Sequence, residues 1–262
     1  MFVLAKLLTH PHQSMQLLWR GYQVKDRLFA KQTGWFSHGS LQRVSLLEIF
    51  PNSKEVEIVL PRALDRRFGV SISVEEATIL CVIERCVMAR KVLEIGTFDG
   101  NTTLALAANL QKGGEVVTVD LPPDFDLRNQ RALLKYPDAQ INLTPRTELG
   151  RQHQNHPSSH LIRQIYGDSA VIDWGGLGGP FDLIFIDGCH TEEYVQSDTQ
   201  NALNQLTEKG VIVWHDYSMI PEVCKVVDRL ATSRHEDLRV FAIEGARLAI
   251  GLKTSRAIVD KD

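Results

Sequence analysis

The sequence lacks several features, and each absence excludes a class of function. Basic charge is not in excess: 29 Lys and Arg against 32 Asp and Glu leave a formal net charge of −3. That balance gives no electrostatic footprint for nucleic acid. The four cysteines, Cys81, Cys86, Cys189 and Cys224, form no C-x-x-C pair. This argues against a zinc knuckle or a dithiol redox motif, and for free thiols in a reducing compartment. No long apolar run opens the chain: residues 2–8 are interrupted by Lys6 and ended by His10-Pro11-His12. The run is too short to span a bilayer, and it lacks a small-residue cleavage site. These features predict a cytoplasmic protein with neither nucleic acid nor membrane as partner. Two nucleotide signatures are also missing. The glycines at 96 and 100 are spaced G-x-x-x-G, not the G-x-G-x-x-G of a dinucleotide fold or the lysine-tailed loop that cradles a polyphosphate.

What the sequence does hold is a repeating pattern. At 262 residues, 44% hydrophobic and 23% charged, it suits one large α/β domain, alone or with an extension. Short apolar runs at 91–95, 115–120, 160–166, 181–187 and 210–214 alternate with helical segments at 101–110, 127–136, 191–206 and 221–230. Strands are also expected at 238–243 and 247–253, separated only by Glu244-Gly245-Ala246. Alternation of this kind predicts a doubly wound, mainly parallel, seven-stranded α/β sheet, and the tight last turn predicts an antiparallel C-terminal hairpin. Ser73 and Glu76 form a capping box that starts a helix over 74–88. Residues 1–70 read as an N-terminal helical extension, with helices at 14–31 and 41–50 and an extended segment at 55–60. They offer a lid or a homodimer contact to the domain at 71–262. The polar segment 137–159 breaks the rhythm. Its His153, His156 and His160 are too irregularly spaced to argue for a metal.

In an open parallel sheet, ligands bind beyond the carboxyl ends of the strands. The polar residues there are Glu94, Asp120, Asp168 with Ser169, Asp187 with His190, and His215 with Asp216. The turn after Glu94 leaves bare backbone at Gly96 and Gly100 and free N–H groups at the next helix start. With an acid at the strand end and no lysine, it suits a cationic or zwitterionic ligand. Asp120 either accepts from ribose hydroxyls or shapes the turn before Leu121-Pro122-Pro123. Asp168 and Ser169 either meet an adenine edge or cap a helix. Asp198 lies beside the inward stripe of the helix after the fourth strand, and is expected to be a structural acid bonded to backbone N–H groups.

The runs VLEIGTFDGNTT, VVTVDLP, FDLIFIDGCHTEEYVQSDTQNAL and GVIVWHDY, in this order, resemble a class I S-adenosylmethionine-dependent methyltransferase. Within that superfamily they are similar to the methyltransferase domain 24 group, near macrolide-sugar O-methyltransferases and cephalosporin-hydroxylase-like proteins. The resemblance covers about residues 73–253. It implies that Glu94, Gly96, Phe98 and Gly100 line the methionine part of S-adenosylmethionine. Asp120 would then hold the ribose, and Asp168 and Ser169 the adenine.

The same resemblance implies a small-molecule acceptor facing Asp187, His190, His215 and Asp216. Asp187-Gly188-Cys189-His190 matches a D-x-x-H motif that supplies a metal-binding Asp and a basic His. Asp187, His215 and Asp216 are the implied metal set. The usual acidic pair has become His215-Asp216, which turns the preference from Mg²⁺ toward Mn²⁺, Fe²⁺ or Zn²⁺. If both residues continued the strand, their side chains would diverge, so a shared site requires the chain to turn there. His190 is either the base that takes a hydroxyl proton or the cap of the next helix. O-methylation is the leading expectation. N-methylation, a hydroxylase-like reaction at the same site and cofactor binding without turnover remain alternatives.

Overall fold

A computed structural model describes residues 38–61, 72–125, 149–233 and 237–253. The helices expected at 14–31 and 127–136 lie outside them. Eight strands form one sheet: β1 (Arg43–Val44), β2 (Lys91–Ile95), β3 (Glu115–Asp120), β4 (Ile162–Tyr166), β5 (Phe181–Ile186), β6 (Leu206–Trp214), β7 (Leu238–Ile243) and β8 (Ala249–Lys253). Their spatial order is β4-β3-β2-β5-β6-β8-β7-β1. β8 runs antiparallel to both β6 and β7, and the other pairings are parallel. The order reverses between β2 and β5, which opens a crevice at the carboxyl ends of those strands.

The helices are α1 (Leu46–Ile49), α2 (Val74–Val87), α3 (Asn101–Asn109), α4 (Arg151–Gln154), α5 (Glu192–Asn204) and α6 (Pro221–Thr232). α2 starts at the expected capping box, Ser73 with Glu76. α6 starts with Pro221 in its first turn, where a missing N–H costs nothing. The central strands are buried on both faces, so their residues divide by alternation between two cores. Leu93, Ile95, Ile184, Ile212 and Trp214 meet α5 and α6, whereas Val92, Leu183, Phe185, Val211 and Val213 meet α2 and α3. Among the described residues, no helix is long and apolar enough to cross a membrane.

One expectation fails in the N-terminal part. The helix expected over 41–50 is a two-residue strand followed by the four-residue α1, because Gln42 and Val44 carbonyls accept from the open edge of β7 at Ala242 and Glu244. This eighth strand is also why the count exceeds seven. Residues 55–60, expected to be an extended segment, join no strand of the sheet. Val59 pairs instead with the Asn109 side chain, whose Oδ1 accepts from the Val59 N–H at 2.9 Å and whose Nδ2 donates to its carbonyl at 2.8 Å.

The segment before β1 is pinned by Tyr217 and Asp228. The Tyr217 hydroxyl donates to Asp228 at 2.6 Å and accepts from the Leu41 N–H at 3.0 Å, while the Ser40 N–H donates to Asp228 at 2.8 Å. Tyr217→Phe leaves a buried N–H and a carboxylate short of a partner. It should lower stability by about 1–3 kcal/mol, measured by urea unfolding.

Candidate functional site

The site is built where β2 turns. Hydrogen bonding continues one residue past the strands: the Gly96 N–H donates to Val119 O, Asp187 N–H to Ile95 O and His215 N–H to Ile186 O, at 2.8–3.0 Å. Gly96 has φ +100°, and a β-carbon there would strike the Asp187 carbonyl oxygen. Glycine is therefore required by the close approach of the β2 and β5 loops. Phe98 also has positive φ, +47°, an uncommon state for a bulky residue. It is held there by Asp120. One Asp120 oxygen accepts from the Thr97 and Phe98 N–H groups at 3.0 and 2.9 Å, and the other from Leu121 N–H at 2.7 Å.

Gly100 opens α3 at φ +82°, but the space beside it is not open. A β-carbon would run into the buried His153 ring. The expectation that Gly100 leaves bare backbone for a ligand on that side is corrected: the chain's own imidazole fills it. α4 docks onto the same turn, with Gly150 N–H donating to Phe98 O and Gln152 N–H to Asp99 O, each at 2.8 Å. His156 accepts from Ser158 N–H at 3.1 Å, and His160 Nδ1 lies 2.7 Å from the Pro157 carbonyl. The three histidines of this segment thus serve local turns and packing.

Glu94 is fully buried. Its Oε2 accepts from the Thr103 and Thr118 hydroxyls, the latter at 2.6 Å, while Oε1 meets no partner among the described residues. Burial, reinforced by Asp187 and Asp120 and opposed by the two hydroxyls, pushes its carboxyl up to about 8. At the end of β4, Asp168 accepts from Ala170 N–H and from the Tyr194 hydroxyl, both at 2.9 Å, and the Ser169 carbonyl accepts from the Trp174 indole. These two residues shape the turn beyond β4. Asp198 is fully buried, as a structural acid would be, but no backbone N–H among the described residues bonds to it. Burial pushes it to about 7, partly offset by the Ser169 hydroxyl.

On the other side of the crevice the strand-end acids and imidazoles converge. Asp216 adopts φ +55°. That turn solves the divergence problem, since the His215 and Asp216 side chains then meet at 3.4 Å. The His215 Nδ1 donates to Asp187 at 2.9 Å, and its Nε2 lies 3.5 Å from Glu76. Burial opposes a charge on His215, but Asp187 and Asp216 outweigh it and hold the ring protonated well above its ordinary range. His190 Nε2 lies 3.6 Å from Asp187 and 3.5 Å from Asp216. The cluster with metal-ligand geometry is therefore Asp187, His190 and Asp216, all within 4.8 Å of one another. His215, read from sequence as part of the metal set, lies beside this group with both ring nitrogens facing carboxylates. The cap of α5 is Thr191, whose hydroxyl accepts from Tyr194 N–H, so His190 is not needed in that role.

Two members of the site escaped the sequence reading. Arg247, in the turn before β8, grips Glu76 through its backbone N–H, Nε and Nη2 at 2.8–3.0 Å, and reaches Asp216 with Nη1 at 2.7 Å. Against the cost of burial, His215 and Arg247 hold Glu76 well below the usual carboxylate range. The capping box supplied a sufficient local reason for Glu76 and so concealed its second role, and a lone arginine in a hairpin turn carries no sequence signal. Arg247→Met would strand two buried carboxylates. It should destabilise the fold by about 3–5 kcal/mol, read by denaturant unfolding. Gly96→Ala combines a backbone clash with unfavourable φ, and should cost about 2–5 kcal/mol in the same assay.

A methyltransferase-domain family matches residues 93–217. The chain is 32% identical over 151 residues to O-methyltransferase ankF of Aspergillus thermomutatus, a match spanning 56% of this chain and 52% of that protein. It is 29% identical over 119 residues to a catechol O-methyltransferase of Mycobacterium tuberculosis, spanning 45% and 44%. The chain thus spans about half the length of the curated relatives it matches. In three dimensions it is similar to the S-adenosylhomocysteine-bound methyltransferase PaMTH1 of Podospora anserina, with a TM-score of 0.52 and 16% identity over 88% of this chain and 95% of that one. Residues 93–217 are thus similar to a methyltransferase domain, and the sheet order shares the fold of solved methyltransferases.

Proposed function

We propose that the protein transfers the methyl group of S-adenosylmethionine to a hydroxyl of a small molecule, with His190 as the base. The observation that carries this reading is the placing of His190 Nε2 between Asp187 and Asp216, at the sheet edge that also carries the Glu94 turn. Two carboxylates beside an imidazole stabilise the imidazolium formed when it takes a proton. The names of the relatives support oxygen as the acceptor atom.

The residues fit the cofactor. Glu94 has a buried acceptor oxygen without a partner, which suits a positively charged ligand group. Asp120, Asp168 and Ser169 lie at adjoining strand ends, where the ribose and adenine would be held. Glycine at 96 and the cap from Asp120 keep the turn in shape. When bound, the cofactor supplies an electrophilic methyl group. Asp187 and Asp216 orient His190, and His190 removes the acceptor's hydroxyl proton.

A second reading is favoured by the same cluster. Asp187, His190 and Asp216 offer two oxygens and one nitrogen within 4.8 Å, a set that suits Mn²⁺, Fe²⁺ or Zn²⁺ better than Mg²⁺. Against it, each carboxylate already has a cationic partner, His215 on Asp187 and Arg247 on Asp216. The two roles of His190 exclude each other, because an imidazole nitrogen that binds a cation is not available as a base.

The test uses labelled S-adenosylmethionine with catechol and a panel of other hydroxyl compounds as acceptors. His190→Ala should keep S-adenosylhomocysteine affinity in calorimetry and lose turnover by about 10²–10⁴-fold. Turnover that survives EDTA supports the base. Turnover lost to EDTA and restored by Mn²⁺ moves His190 into the metal set. Methylation of amines alone would overturn the O-transfer reading.

A further inference from the structure

Glu94 sits at the end of a directed chain of donors. Gln164 Nε2 donates to the Thr97 hydroxyl at 3.0 Å. Thr97 and Thr118 hydroxyls lie 2.6 Å apart, and Thr118 donates to Glu94 Oε2 at 2.6 Å. Because Thr118 spends its only proton on Glu94, Thr97 must donate to Thr118. Thr103, on α3, donates to the same Oε2. Oε2 is thus an acceptor from two sides and leaves no room for a proton of its own. A proton on this acid belongs on Oε1, the oxygen that is buried and without a partner among the described residues.

The surrounding charges favour that proton. The titratable groups that act on Glu94 are Asp187 from the end of β5 and Asp120 from the end of β3. Both are acidic, and α3 and the middle of β3 contribute only hydroxyls. A fully buried carboxylate with acidic neighbours and no cation beside it is costly.

We propose that Glu94 is a neutral acid in the empty site and loses its Oε1 proton when the positively charged end of the cofactor reaches it, so that cofactor capture and proton release are one event. The inference rests on the cofactor reading above. The O–H bond breaks with its electron pair left on Oε1, the proton passes to solvent, and the new carboxylate pairs with the ligand's positive charge. Thr103 and Thr118 are positioning residues: they fix which oxygen faces the ligand and stabilise the anion once it forms.

The sign follows from linkage. With the empty-site carboxyl pushed up to about 8, binding below that pH requires a proton to leave. Affinity should therefore strengthen as pH rises from about 6 to about 8, by up to about tenfold per unit, and then level off. The experiment is calorimetry of S-adenosylhomocysteine binding in buffers of different ionisation enthalpy at pH 6.5. The wild type should release about one proton per ligand, falling toward none above about pH 9. Asp198, pushed to about 7, is a second acid able to contribute, and Glu94→Gln separates the two. That variant should bind with no release assignable to residue 94 and with a Kd nearly flat in pH. Thr118→Val should weaken binding at pH 6.5 yet still release the proton. Binding by the wild type without proton release overturns the proposal, as does full release retained in Glu94→Gln. If Glu94→Gln fails to fold, the wild-type release and its pH dependence decide. Failure of S-adenosylhomocysteine to bind at all would instead remove the cofactor reading on which the proposal stands.

Discussion

The carboxyl ends of β5 and β6 depend on a buried lattice of opposite charges. Arg247 holds Glu76 with three hydrogen bonds and Asp216 with a fourth, and His215 bridges toward Glu76 and Asp187. These residues come from α2, from the loops after β5 and β6, and from the β7–β8 turn. Most of these charges are buried, and they are tolerable only because their neighbours are in place. The lattice therefore ties the carboxyl edge of the sheet to the helix that precedes it. It also maintains the left-handed conformation of Asp216, without which the His215 and Asp216 side chains would point to opposite faces.

The carboxyl ends of β2 and β3 are organised differently. Asp120 spends its carboxylate on the backbone of the glycine turn, and Gly96 admits the β5 loop to within contact of β2. Hydroxyls and amides replace ion pairs: Gln164, Thr97, Thr118 and Thr103 all lead to one oxygen of Glu94. One half of the crevice is thus electrostatically complete, whereas the other keeps an acid whose charge the described protein does not balance.

The alternation of apolar runs and helical segments was enough to read the parallel sheet and its closing hairpin, because each strand buried on both faces must be continuously apolar and each helix amphipathic. The capping box at Ser73 and the glycine turn at 96–100 were legible for the same reason, since they are local. The short β1 was not. Residues 43–44 pair only because β7 leaves an edge open nearby, and an isolated LQRVSLLEIF looks as helical as it looks extended. Residues 55–60 show the other half of the problem. Their alternation is real, but among the described residues Val59 pairs with the Asn109 amide and not with a strand.

The sequence by itself determined the fold class, the resemblance of residues 93–217 to a methyltransferase domain, and the edge of the sheet at which polar residues collect. The extents of strands and the positions of their ends follow from patterns within a few residues. Only the tertiary structure decided which of those residues touch. It set His190 as well as His215 beside the two aspartates, placed His153 against Gly100, and brought Arg247 across 171 positions to Glu76. Such pairings are set by the packing of distant elements and by the need of every buried charge for a partner, neither of which has a period or a motif along the chain.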